Sequence, residues 1–77
     1  MELRSLSTIA REIKRDWKNV NYAAKPYLDT MLSLNNVNDN YMFDSGVSVV
    51  LYFLSNAATW RGETAKRIKA ELKAMVK

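Results

Sequence analysis

Hydrophobic residues recur at intervals of three and four along most of the chain, the spacing of one face of an α-helix. Read this way, the pattern predicts helices over approximately 6–18, 23–34, 45–57 and 60–76. We therefore expect an all-α fold, a single compact domain of three to four short helices. This domain is expected to span 1–77 with no linker or second domain.

Residues that favour helix starts precede each of these segments. A side-chain oxygen there accepts a hydrogen bond from an otherwise orphaned backbone N–H, and proline is tolerated in a first turn. The expected starts lie at Ser5 or Ser7, at Pro26, at Asp44 or Ser45, and at Thr59 or Gly62.

The segment Val47–Leu54 is the one ambiguous element. Its three valines, tyrosine and phenylalanine favour a strand on propensity, but the chain offers no comparable strand to pair with it. We interpret it as a central helix that is apolar nearly all round because neighbouring helices cover it. The expected core comprises Ile13, Val50, Leu51, Leu54, Ile68 and Leu72, with Trp17, Phe53 and most of Tyr27, Tyr41 and Tyr52.

Composition excludes most catalytic chemistry. The 77 residues contain no Cys and no His, which removes thiol nucleophiles, thiolate metal sites and imidazole bases. Two glycines cannot form a phosphate-binding loop. Asn36, Asn38 and Asn40 alternate like calcium ligands, but Tyr41 and Val47 occupy the positions at which a calcium loop needs Gly and Glu. We predict a protein that is not an enzyme and has no cofactor or metal.

Charge is distributed unevenly, and this is the most informative bulk property. Residues 1–25 carry six cations and three acids, residues 26–60 carry three acids and no cation, and residues 61–77 carry six cations and two acids. Two basic ends thus flank an acidic and largely apolar middle, within a net charge of +4.

The basic residues fall at helical spacing opposite the apolar faces, where they could contact successive phosphates. The competing interpretation is a solvated helix face, which any helix with one buried side displays. At the corner before the last helix, tryptophan and arginine are residues typical of interface hot spots, although the tryptophan could instead close the corner with Gly62 permitting the turn. The predicted contacts are Arg11, Lys14, Arg15 and Lys18, then Lys66, Lys69 and Lys73, with Trp60 and Arg61 at the corner.

Three segments carry a resemblance to a known group: YLDTMLSLN (27–35), DSG (44–46) and YFLSNAATWRGETAKRIKAEL (52–72). The chain resembles short, functionally uncharacterised proteins encoded in bacteriophage and prophage genomes, in which a similar Trp-Arg-Gly-Glu segment precedes a basic C-terminal helix. The resemblance implies a small accessory protein in the cytoplasm of a bacterial host cell. It implies no site residues.

The leading hypothesis is a non-enzymatic phage-type accessory protein that binds DNA or RNA, or a nucleic-acid-handling complex, through its basic helix faces. One alternative is an inhibitor or adaptor that binds a host or phage protein, such as a defence nuclease, through the Trp60-Arg61 corner and the Asn-rich loop. Another is a structural assembly factor that buries Val47–Leu54 in a homodimer. We expect no membrane association, and the chain could be a monomer or a homodimer.

Overall fold

The computed structural model describes residues 4–41 and 44–76, and in them it confirms the all-α prediction. The helices are α1 (Leu6–Asp16), α2 (Lys25–Met31), α3 (Gly46–Ser55) and α4 (Glu63–Met75). A short antiparallel ladder, β1 (Asn40–Tyr41) with β2 (Asp44–Ser45), leads into α3. The domain measures 30 × 28 × 19 Å.

Helix starts follow the sequence expectations closely. Ser5 and Ser45 each accept a hydrogen bond at 3.1 Å from a backbone N–H three residues later, so these two serines cap α1 and α3. Pro26 lies in the first turn of α2, where its missing N–H leaves no bond unmade. Gly62 occupies the cap position of α4 with φ 116° and ψ 179°.

The hydrophobic core is formed where all four helices meet. Its fully buried side chains include Leu6, Ile9 and Ile13 from α1, Leu28 and Met31 from α2, Val50 and Phe53 from α3, and Ile68 and Leu72 from α4. Each helix contributes residues spaced three or four apart, as the hydrophobic pattern predicted. Burial of these side chains is the main favourable contribution to folding.

The segment Val47–Leu54 is helical, as expected, but the prediction that neighbours cover it on most sides is wrong. Leu51 is 47% exposed and Tyr52 is 53% exposed, although both were expected in the core. The buried residues Val49, Val50 and Phe53 lie on the one side of α3 that packs against its neighbours, so the opposite side faces solvent. Tyr27 is partly buried and stacks on Tyr52 with ring centroids 5.3 Å apart. The side chain of Tyr41 lies outside the described part of the chain.

An ionic network joins α1 to α4. Arg4 donates to Glu12 at 2.7 Å and to both carboxylate oxygens of Glu71 at 2.6 and 2.9 Å, and Arg67 donates to the second oxygen of Glu12. The hydrogen bond from Arg4, followed by that from Arg67, lowers the pKa of Glu12 below its usual range. Arg67 therefore pairs with an acid on another helix rather than with one on its own helix.

The Asn-rich loop, residues 35–40, is folded against the start of α3. The carboxylate of Asp39 accepts from the backbone N–H groups of Asn35 and Asn36 at 2.9 and 3.2 Å, which closes the loop on itself. Gly46 N donates to the Asp39 carbonyl at 2.7 Å. A Cβ on Gly46 would lie 2.8 Å from the backbone of Val37, so only glycine permits this close approach.

Candidate functional site

A pair of stacked tryptophans underlies the basic surface. The ring centroids of Trp17 and Trp60 are 5.7 Å apart and the rings are inclined by 11°, and each ring makes a T-shaped contact with Phe53. Trp60 Nε1 donates to Asp16 Oδ2 at 2.8 Å, so the polar atom of the indole is satisfied as well.

Trp60 was predicted to be an exposed contact residue, and this is wrong. The side chain is 2% exposed because Trp17, Phe53 and the α3–α4 turn enclose it. The alternative interpretation is confirmed instead: Trp60 closes the corner, and Gly62, with its positive φ, makes the turn into α4. Arg61 remains exposed beside it.

Lys69 was expected on the outer basic face of the last helix, and this is also wrong. Its Nζ donates to the carbonyls of Ala57 and Trp60 at 2.7 and 2.6 Å and lies 5.8 Å from the Trp60 ring centroid. Two of its three donors thus bind the turn between α3 and α4. Partial burial lowers the pKa of Lys69, and repulsion from Lys73 and Arg61 lowers it further, which indicates that these cations are near neighbours.

Beside this corner lies an open cleft of about 540 Å³, which we call the Trp60 cleft. Its lining residues are Trp60, Arg61, Gly62, Glu63, Ala65, Lys66 and Lys69. Three cations and one acid therefore border the Trp60 cleft, with Lys73 one turn beyond Lys69 along α4. The floor is apolar and the rim is basic.

A second cleft of about 440 Å³, the Trp17 cleft, lies at the end of α1. Its lining residues are Lys14, Trp17, Lys18, Asn19, Val20, Lys25 and Leu28. Three lysines border this cleft, and no acid is among the lining residues. Lys14 also pairs with Asp29 at 2.9 Å. Because Trp17 and Trp60 are stacked, the two basic clefts adjoin the same aromatic pair.

The remaining predicted contacts lie apart from both clefts. Arg11 and Arg15 are exposed on α1, but neither lines the Trp17 cleft or the Trp60 cleft. Arg15 borders a smaller cleft together with Glu12, Asp16 and Thr64. The ionic network with Glu12 and Glu71 occupies the seam between α1 and α4, so the two basic faces do not merge there.

Lys25 and Tyr22 belong to this region and were not among the predicted contacts. Lys25 is the first residue of α2 and lines the Trp17 cleft. Tyr22 lies in the preceding turn and is 87% exposed. The first two predicted helices leave a gap after residue 18, and the cations on either side of that gap, Lys18 and Lys25, were the available signal.

The two basic clefts present cations at the surface of the described residues. Among the described residues, no three acidic, cysteine or histidine side chains gather closely enough to hold a metal ion. Every described helix falls short of the length and apolar character needed to cross a bilayer.

No protein-family model, curated protein or solved structure matches this chain.

Proposed function

We propose that the protein binds nucleic acid, and that the Trp17 cleft and the Trp60 cleft are the binding surface. The observation that carries this proposal is the position of six cations around two clefts that adjoin one tryptophan pair. Those cations are Lys14, Lys18 and Lys25, and Arg61, Lys66 and Lys69. Nucleic acid is the natural polyanion for such a surface, because each phosphate contact releases condensed counterions.

The neighbouring acids support this assignment. Glu12 and Glu71 would repel a phosphate backbone, but Arg4 and Arg67 already neutralise them in the seam between α1 and α4. Three acids lie close to the clefts. Glu63 lines the Trp60 cleft, Asp16 accepts from the indole of Trp60, and Asp29 is paired with Lys14 beside the Trp17 cleft. Lys14 is paired with Asp29, and the ammonium group of Lys69 is bound to two backbone carbonyls. The four cations left for phosphates are Lys18, Lys25, Arg61 and Lys66.

The salt dependence of binding measures the number of phosphate contacts. With four phosphate contacts, the logarithm of the binding constant should fall with log salt at a slope of about −2.8 for single strands and about −3.6 for duplex DNA. Fluorescence anisotropy of labelled oligonucleotides at 50–200 mM salt measures the slope directly.

Charge-matched variants test whether the clefts form the surface. Lys18→Gln with Lys66→Gln removes one cation from each cleft, and we expect weaker binding and a slope shallower by about 1.4–1.8. The control, Arg11→Gln with Arg15→Gln, removes the same charge from an exposed face outside both clefts. Equal losses of affinity in the two double variants would show that binding depends on net charge and not on the clefts, which would contradict the assigned surface. Absence of binding by wild type at 50 mM salt would refute the proposal.

A second candidate function is assembly into a homodimer, and the exposure of Leu51 and Tyr52 favours it. With Ser48 and Ser55 these residues form the charge-free face of α3, and both serine hydroxyls are already bonded within the chain. Two copies of a chain with net charge +4 repel each other. The charge-free face lies in the cation-free segment 26–60, so pairing there keeps the basic residues of both copies apart.

Sedimentation equilibrium tests the dimer. We expect a dimer that dissociates when Leu51→Ser and Tyr52→Ser are combined, and that persists in the Arg11→Gln, Arg15→Gln control. A wild-type protein that remains monomeric at 100 μM, about the concentration that a weak interface needs, would contradict this candidate. For the alternative of an inhibitor or adaptor, the exposed contacts that remain are Arg61 and the Asn-rich loop, because the indole of Trp60 is buried.

A further inference from the structure

The turn between α1 and α2 presents a single aromatic ring to solvent. Tyr22 is 87% exposed, the highest value among the large hydrophobic side chains of the described residues. An isolated exposed aromatic is ordinary on a protein surface. Tyr22 differs from such a residue in two ways: its backbone is held by hydrogen bonds, and cations lie on both sides of it in the chain.

The backbone that carries Tyr22 is held firmly. Asn21 Oδ1 accepts from Ala23 N at 3.2 Å, and Asn21 Nδ2 donates to the Asn56 carbonyl at 3.1 Å, which ties the turn to the end of α3. The Asn21 carbonyl accepts from the N–H groups of Ala24 and Lys25 at 2.8 and 3.1 Å. A ring on an ordered turn loses little conformational entropy when it binds a ligand.

Cations lie on both sides of this turn. Lys18 precedes Tyr22 by four residues and Lys25 follows it by three, and both lysines line the Trp17 cleft. Tyr22 is not among the residues that line the cleft, but the turn that carries it lies between these two lysines in the chain. Proteins bind unpaired bases with exposed aromatic rings and nearby cations, since the lysines contact phosphates while the base stacks on the ring.

The other described aromatics cannot take this role. Trp17 and Trp60 stack on each other and are buried. Tyr27 and Tyr52 stack on each other at 5.3 Å, within the cation-free segment 26–60. Phe53 is buried. Among the aromatic side chains that the structure describes, Tyr22 is therefore the one that is exposed and lies between basic residues in the sequence.

We propose that the nucleic acid is single-stranded and that one of its bases stacks on Tyr22 while its phosphates contact Lys18 and Lys25. This inference rests on the proposed function and names its substrate class. A duplex keeps its base faces stacked inside the helix, so a free aromatic ring contributes to the binding of single strands and little to that of duplexes.

Anisotropy with a labelled 20-nucleotide oligo(dT), the matching oligo(U) and a 20-base-pair duplex at 50 mM salt tests the inference. We expect wild type to bind the single strands more tightly than the duplex. Tyr22→Ala should weaken single-strand binding about 5- to 150-fold and leave duplex binding unchanged. Tyr22→Phe should bind like wild type, because the ring is kept. The two single strands show whether DNA or RNA is bound more tightly.

Tyr52→Ala is the matched control, since it removes an exposed tyrosine from the cation-free segment, and circular dichroism shows that each variant is folded. Single-strand affinity unchanged in Tyr22→Ala, or a preference for duplex, would overturn the inference. The proposed function would survive that result if the Lys18→Gln, Lys66→Gln variant still loses binding. Absence of binding to all three oligonucleotides would overturn both.

Discussion

Replacing Gly62 by alanine would measure the cost of one backbone conformation with almost no steric contribution. Gly62 has φ 116° and ψ 179°, a region that only glycine visits readily. A Cβ built there meets no atom within 4 Å, so the added methyl group has room. Any loss of stability on substitution must therefore come from the dihedral angles.

The magnitude follows from two opposing effects. Strain in this region lowers the free energy of unfolding by about 1–3 kcal/mol. Alanine also raises it by about 0.4–1 kcal/mol, because it reduces the conformational entropy of the unfolded chain. We expect Gly62→Ala to lower the free energy of unfolding by about 1–2 kcal/mol, and Tm by about 4–16 °C for a domain of this size. Total stability for 77 residues is about 4–12 kcal/mol, so the variant should still fold.

Thermal denaturation followed by circular dichroism is the assay, and a D-alanine at position 62 is the decisive comparison. A D-residue favours positive φ, so the synthetic protein should melt at or above the wild-type Tm. An L-alanine variant as stable as wild type would refute the strain argument. A D-alanine variant destabilised as much as the L-form would also contradict the strain argument, because a D-residue is not strained at positive φ.

Gly46→Ala provides the contrast within the same chain. There a Cβ would lie 2.8 Å from Val37 Cα and 2.8 Å from its carbonyl oxygen, which also accepts from Val47 N at 3.1 Å. The backbone of Val37 cannot move away from the added methyl group without breaking its hydrogen bond to Val47 N. We expect Gly46→Ala to lower the free energy of unfolding by about 1–3 kcal/mol in the same thermal assay, because the added methyl group overpacks this contact.

Three further predictions concern the polar contacts of the fold. Glu12→Gln should lower the free energy of unfolding by about 1 kcal/mol at pH 7. Because folding lowers the pKa of Glu12, this contribution to wild-type stability is lost as the pH falls below about 4.5, and the Tm of the variant should depend less on pH than that of wild type. Lys69→Met should lower the urea midpoint by an amount equivalent to about 1–2 kcal/mol, since two carbonyls lose a charged donor, whereas the exposed Lys66→Met should change it little. Trp60→Phe should cost about 1–3 kcal/mol in the same assay through the lost bond to Asp16 and the lost stacking area, and a variant as stable as wild type would contradict the structural role of this indole.

Local structure was largely predictable from the chain alone. The apolar residues of α1 and α4 recur at three and four positions, and Ser5, Pro26 and Ser45 are start signals that act within one helical turn. Such features depend on neighbours in sequence, which is why the four helices and their approximate limits were expected correctly. The absence of Cys and His likewise limits the chemistry available to any fold of this sequence.

The surface was decided by tertiary packing. Helical periodicity assigns Lys69 to an outer face, but the turn between α3 and α4 passes close enough to bind its ammonium group. Trp60 is buried because Trp17, 43 residues away in sequence, stacks on it, and Leu51 is exposed because α3 has neighbours along one side only. Hydrophobicity along a chain shows that a residue can be buried, whereas the positions of the other helices determine whether it is.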